Sequence, residues 1–209
     1  MKRPLAFLTS TAVVLVATLA VFACGDDATS PGMASSDASP DRGRLPAPLR
    51  PDASCPVVID TPEALAGTHV PEGSPLSFNS NPPASGPHYP MWAQFQEYAA
   101  PVPRGYWLHS AEHGAIVLLY KCEGAACGPI LEGLRKVRDG LATDSMCDAT
   151  TRVRVVITPD PDLDVPVAAV GWGWTYKADC LDLPTLEQFA KDRYAQGPEN
   201  ICAPGKSTF

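Results

Sequence analysis

The 209-residue sequence contains no Cys-x-x-Cys pair, no Gly-x-Ser-x-Gly elbow and no block of basic residues. The first absence excludes a thioredoxin-type redox motif. The second excludes the nucleophile turn of an α/β-hydrolase. The third, with a formal net charge of −7, argues against a nucleic-acid partner. No internal repeat is present. Histidine is scarce: four in the whole chain, at His69, His88, His109 and His113.

A run long enough to span a membrane is also missing, since a spanning helix needs about 20 strongly apolar residues. After the basic start Met1-Lys2-Arg3, residues 4–23 are diluted by Pro4, Thr9, Ser10, Thr11 and Thr18. The apolar core that remains, residues 12–23, has signal-peptide length. It ends in Val21-Phe22-Ala23-Cys24, which resembles a bacterial lipobox with an unusual residue, Phe22, in one slot. That resemblance implies removal of residues 1–23 as a lipoprotein signal peptide and a diacylglycerol on the thiol of Cys24. Removing Lys2 and Arg3, and no acid, changes the net charge from −7 to −9. Gly25 rather than Asp in the second mature position permits, by resemblance to lipoprotein sorting, an outer-membrane, periplasm-facing destination. The expected partner is therefore the membrane, through the lipid; a protein partner is not specified.

Residues 25–54 are rich in Ser, Pro, Asp, Ala and Gly. Such a stretch buries too little apolar surface to order itself and reads, with lipidated Cys24, as a tether. Residues 55–209 remain as a single globular domain, long enough for a core of its own. Six cysteines fall in it: Cys55, Cys122, Cys127, Cys147, Cys180 and Cys202. An even number in an exported chain reads as a disulfide framework.

Within the domain, eight prolines between Pro71 and Pro103 exclude a long helix. Aromatics spread through the same stretch, Phe78, Tyr89, Trp92, Phe95, Tyr98 and Tyr106, predict an ordered wrapping segment, with a short helix at residues 91–98. A first short strand is expected at residues 55–59. Residues 115–120 form a continuous apolar run, as in a strand buried on both faces. Residues 129–142 carry apolar side chains at helical spacing, with Pro129 placed in the first turn. Residues 152–158 and 165–176 read as further strands, and residues 184–194 as a last helix opened by Pro184-Thr185. The fold class is thus α/β: a small mixed sheet, strand–helix–strand–strand–helix, preceded by the Pro-rich wrapping segment and stapled by disulfides. The first two of these strands are expected to be parallel and the third antiparallel to the second. From that strand order the predicted bridges are Cys122–Cys127, Cys147–Cys180 and Cys55–Cys202.

Three histidines lie between residues 88 and 113, two of them in His109-Ser110-Ala111-Glu112-His113-Gly114. A neutral imidazole nitrogen is available near neutral pH and suits zinc or copper. His88, His109 and His113 are therefore candidate ligands, with Glu112 as fourth ligand or supporting partner. Three ligands with an open position would activate a water. The alternatives are imidazoles that bond loop carbonyls without a metal, and acid–base chemistry without one. The balance leans to binding rather than catalysis, and no catalytic residue is assigned. His-x-x-Glu-His matches an inverted zinc-peptidase pattern that works on a helix. Gly105 and Trp107 before it, and Gly114 with an apolar strand after it, argue against a long helix here. An extended backbone would send His109, Ala111 and His113 to one side and Glu112 to the other.

Asn81-Pro82-Pro83-Ala84-Ser85-Gly86-Pro87-His88-Tyr89, the following Trp92, then His109-Ser110-Ala111-Glu112-His113-Gly114 and a strand ending in Tyr120 resemble the bacterial "domain of unknown function 3105" family. Ala169-Val170-Gly171-Trp172-Gly173 and the final helix are similar to its second half. The resemblance spans roughly residues 75–198. It implies that these histidines belong to a shared core and that members are often exported or membrane-anchored; it carries no established activity.

Other motifs have simpler readings. Asp160-x-Asp162-x-Asp164 lacks the Gly and Glu of a calcium loop and reads as a solvated turn. Gly205-Lys206-Ser207 lacks the earlier Gly of a phosphate loop and a following helix. Gly171-Trp172-Gly173-Trp174 reads as a core strand packed closely at its glycines. Met91, a soft copper ligand by chemistry, reads as a packing residue.

Overall fold

The structure is a computed structural model, and it describes residues 55–209. The expected signal peptide (residues 1–23), Cys24 and the expected tether (residues 25–54) lie outside the described residues.

Five strands form one mixed sheet. They are β1 (Val57–Asp60), β2 (Ile116–Tyr120), β3 (Val155–Pro159), β4 (Val167–Gly171) and β5 (Trp174–Ala178), in the order β1-β5-β4-β2-β3. Three helices accompany it: α1 (Arg104–Glu112), α2 (Cys127–Asp139) and α3 (Leu183–Arg193). The expected strands near residues 55–59, 115–120 and 152–158, the α2 and α3 helices and the α/β class are all present. β2 is buried at every residue, as a strand covered on both faces must be.

Alternation sorts the sheet into two cores. Ile116, Leu118, Val155, Ile157 and Ala169 face Leu134 and Val137 of α2 and Leu186 and Phe189 of α3. Val117, Leu119, Val156, Ala168 and Val170 face Trp107, Leu108 and Ala111 of α1 and the aromatics of the wrapping segment. The second core carries the histidines on its rim.

The parallel pairing of the first two long strands holds, with Ile116 opposite Val155. The next strand, β4, runs antiparallel to them but pairs with β2, not with β3. Its continuation is also different. Residues 165–176 are not one strand: Gly173 takes φ +78°, a conformation that favours glycine, and turns the chain into the β4–β5 hairpin with Gly171 opposite Trp174. Gly171-Trp172-Gly173-Trp174 is that turn, not a continuous core strand.

The extra reversal corrects the disulfides. β5 carries Cys180 back to the end of the sheet where β2 finishes, away from Cys147. β1 pairs antiparallel with β5, Val57 opposite Ala178, so Cys55 begins beside Cys180. The bridges are Cys55–Cys180, Cys122–Cys127 and Cys147–Cys202; the expected Cys147–Cys180 and Cys55–Cys202 pairings do not form.

The wrapping segment is ordered but has no helix at residues 91–98. Its amides bond outward instead: Ala93 N to Tyr106 O at 3.2 Å, Gln94 N to Lys206 O at 2.9 Å and Tyr98 N to Ile157 O at 2.8 Å. Asp160 is likewise more than a solvated turn residue. It is buried, and its carboxylate accepts from Arg104 Nε at 3.0 Å. Met91 is exposed rather than packed.

Candidate metal centre

The segment where no long helix was expected forms the nine-residue helix α1. α1 follows Pro103 and is buried on every side from Gly105 to Glu112. Tertiary packing overrides the weak propensity of Gly, Tyr, Trp and His here. Gly105 is required because a Cβ there would lie 2.7 Å from the ring of Tyr89. Gly114, at φ +84°, ends the helix in the left-handed conformation, with its amide bonding Ala111 O at 2.9 Å. The helix sets His109 and His113 four residues apart on one face, with Nε2 atoms 3.1 Å apart.

His88 comes from the wrapping segment. Its backbone forms an isolated bridge with the His69 segment, through His88 N to Thr68 O at 3.0 Å and Val70 N to His88 O at 2.9 Å. The ring centroids of His69, His88 and His109 lie 4.7 to 4.8 Å apart, pair by pair. Glu112 Oε2 is 2.9 Å from His88 Nε2 and 3.9 Å from His69 Nε2. Ligand atoms of His69, His88, His109 and Glu112 all fall within 4.8 Å of one another, and so do those of His109, His113 and Glu199.

Glu199 arrives from the C-terminal segment. Its amide bonds Glu112 O at 3.1 Å, and its carboxylate lies 3.1 Å from His113 Nε2. Two indoles wall the cluster. Trp92 packs edge-on against His113 and His109 at 4.5 and 5.4 Å, and Trp172 against His88 at 5.8 Å.

Hydrogen bonds fix the tautomers. His88 Nδ1 is 2.9 Å from Gly86 O, and His109 Nδ1 is 2.7 Å from Tyr89 O. Carbonyls only accept, so each Nδ1 carries a proton, and in the neutral ring each Nε2 a lone pair. His88 Nε2 and Glu112 Oε2 are 2.9 Å apart, the separation of two atoms that share a proton or of two ligands that share a cation. Buried His113 Nδ1 has no partner.

Burial, reinforced by the rings of His113, His88 and His69, pushes His109 down to about 4. Burial also lowers His113, against the pull of the Glu199 carboxylate. It raises Glu112, against the pull of His88. Neutral imidazoles opposite a carboxylate are a donor set for a divalent transition ion.

The spacing fits as well. Bonds of about 2.0–2.2 Å to nitrogen and oxygen leave neighbouring ligands roughly 3 Å apart. In the first set His88 and Glu112 lie 2.9 Å apart and His69 and Glu112 3.9 Å; in the second, His109–His113 and His113–Glu199 are both 3.1 Å. Carbonyl partners on the far ring nitrogens are the usual outer support of metal-bound histidine.

The structure thus brings His88, His109, His113 and Glu112 together and adds His69 and Glu199. His69 is remote in sequence and has no motif around it; scarcity of histidine was its one signal. Glu199 sits among many acids with nothing in the sequence to mark it.

A family model described as "Protein of unknown function (DUF3105)" matches residues 69–205, a span that includes all six of these side chains. No curated protein and no solved structure matches the chain. With well over half of its length matched, the chain belongs to the DUF3105 family.

Proposed function

We propose that this domain is a transition-metal-binding module that holds one copper or zinc ion through His69, His88, His109 and Glu112. One observation carries the reading. The Nδ1 protons of His88 and His109 are committed to the carbonyls of Gly86 and Tyr89, so two unprotonated Nε2 atoms converge beside the Glu112 carboxylate. A cation would satisfy His88 Nε2 and the Glu112 carboxylate, 2.9 Å apart, together.

Metal analysis tests this. The full chain, purified in detergent, is loaded with copper(II) or zinc(II) and dialysed. One equivalent is expected to remain, and none in a folded His88→Ala/His109→Ala variant. Failure of the unaltered chain to retain either metal would refute the proposal.

A second reading rests on the exposure of His69. Its side chain is 49 % exposed while His88 is fully buried, and its 3.9 Å approach to Glu112 is the long one. A water in that position would be metal-activated and catalytic. His69→Ala would then keep the metal and keep a hydrolytic activity that His109→Ala abolishes.

Three disulfides belong to an oxidising compartment outside the cytoplasm. Among the described residues no helix is long and apolar enough to cross a membrane. We infer that the lipobox-like Val21-Phe22-Ala23-Cys24 supplies the attachment, in the cell envelope, through lipid on Cys24. Mass spectrometry of the mature N-terminus checks this; an unmodified or uncleaved Cys24 would refute it.

A further inference from the structure

His109 belongs to two ligand sets, and it has one lone pair to give. Its Nδ1 is occupied by Tyr89 O, so only Nε2 can bind, either with His69, His88 and Glu112 or with His113 and Glu199. The second set is as well spaced as the first: His113 Nε2 is 3.1 Å from His109 Nε2 and 3.1 Å from Glu199 Oε2. His113 is also the ring left unfixed, since its buried Nδ1 has no partner in the protein. The geometry points to a second position for the same ion, formed by His109, His113 and Glu199 and alternating with the first. The inference rests on the metal reading of the cluster and extends it.

Charge favours alternation over two ions at once. The two sets hold two carboxylates in total, Glu112 and Glu199, enough to neutralise one divalent ion. A second ion would leave two uncompensated positive charges beside rings that are 0 to 2 % exposed, at His88, His109 and His113. Sharing His109 removes the need for them. The two positions differ in access. Glu112 is 9 % exposed at its side chain and Glu199 47 %. An ion meeting Glu199 and His113 first would move to the buried set without releasing His109. The protein is thereby equipped to take up and hand on a transition ion as well as to hold it.

Copper(II) is the probe, because its electron paramagnetic resonance reports nitrogen ligands. The full chain in detergent is compared with His69→Ala/Glu112→Gln, with Glu199→Gln, and with the triple variant. His69 is half exposed and Glu→Gln conserves shape, so the first variant leaves packing intact; circular dichroism verifies each fold. The expected results are one equivalent in the unaltered chain and one retained in His69→Ala/Glu112→Gln. Glu199→Gln should then weaken copper by a factor about tenfold larger in that variant than in the unaltered chain.

Two equivalents in the unaltered chain would overturn the alternation. A smaller difference between the two backgrounds, or no copper in His69→Ala/Glu112→Gln, would overturn the second position while leaving the first standing. No copper in the unaltered chain would instead refute the metal reading from which this inference starts.

Discussion

His88 Nε2 stands 2.9 Å from Glu112 Oε2 with its own proton on the opposite ring nitrogen, bonded to Gly86 O. With the ring neutral and the carboxylate ionised, two acceptors face each other in a buried place. Glu112→Gln replaces one of them with an amide that donates to Nε2. The metal-free protein is therefore expected to gain on the order of 1 kcal/mol, as a buried acceptor acquires its bond. The same substitution removes an anionic ligand and should weaken copper or zinc by at least roughly 10- to 100-fold. Urea melts in chelator, set against a metal titration, measure the two signs. A loss of both stability and affinity would mark Glu112 as merely structural.

Acid should destabilise the metal-free protein through His109. Its folded value lies near 4, well below the 6.5 of an unconstrained histidine. The unfolded chain takes up a proton as the pH drops below 6.5, and the native state resists until about 4. Stability is therefore full above the unfolded value and declines across that window, by about 3 kcal/mol from this ring. His113, lowered by burial, acts in the same sense, while Glu112, raised by burial, opposes it. The slope due to His109 is read by difference: His109→Gln should flatten the urea-derived stability between neutral pH and the acid end.

Much of this arrangement was legible before any coordinates, and what was not has physical reasons. β2 announced itself because five consecutive buried residues must all be apolar. α2 did so because one face is wet, so Leu134 and Val137 stand out at helical spacing. α1 is buried all round, so no period betrays it, and its glycine and aromatics argue against a helix that packing nevertheless imposes. The β4–β5 turn hid inside an apolar run, because both arms are core strands and only the φ of Gly173 separates them. Missing that turn moved Cys180 to the wrong end of the sheet. The cluster was visible where its side chains lie in recognisable segments, Ser85-Gly86-Pro87-His88 and His109-Ser110-Ala111-Glu112-His113. Glu199 was not visible, being placed by a backbone bond to Glu112 that no side-chain pattern encodes.

The three disulfides should contribute unequally. Closing a loop of 5 residues, as Cys122–Cys127 does, stabilises by about 2 kcal/mol in the chain-entropy description. Cys147–Cys202 closes 55 residues and should contribute about 4 kcal/mol. It also anchors the segment that delivers Glu199. Paired Cys→Ser variants, compared by urea unfolding, should fall in this order. Cys147→Ser/Cys202→Ser alone should raise hydrogen exchange at the amide of Glu199, now bonded to Glu112 O at 3.1 Å. Equal losses from the two pairs would show that loop length does not set their contributions.

Gly197 of that same segment packs against the end of α1. A methyl group on it would overlap the carbonyl of Glu112 and crowd the amide of Gly114. Both are backbone atoms at a helix end held by Arg154, whose Nη1 donates to His113 O at 2.7 Å, so the helix cannot yield. The segment must move instead. Gly197→Ala is expected to cost about 1–3 kcal/mol, as over-packing does, and to break the bond between Glu199 N and Glu112 O. With Glu199 withdrawn, copper bound by His69→Ala/Glu112→Gln should weaken as it does on Glu199→Gln, while the unaltered cluster of His69, His88, His109 and Glu112 keeps its ion. Wild-type exchange at the Glu199 amide in Gly197→Ala would show that the segment tolerates the methyl group and that glycine is not what seats it.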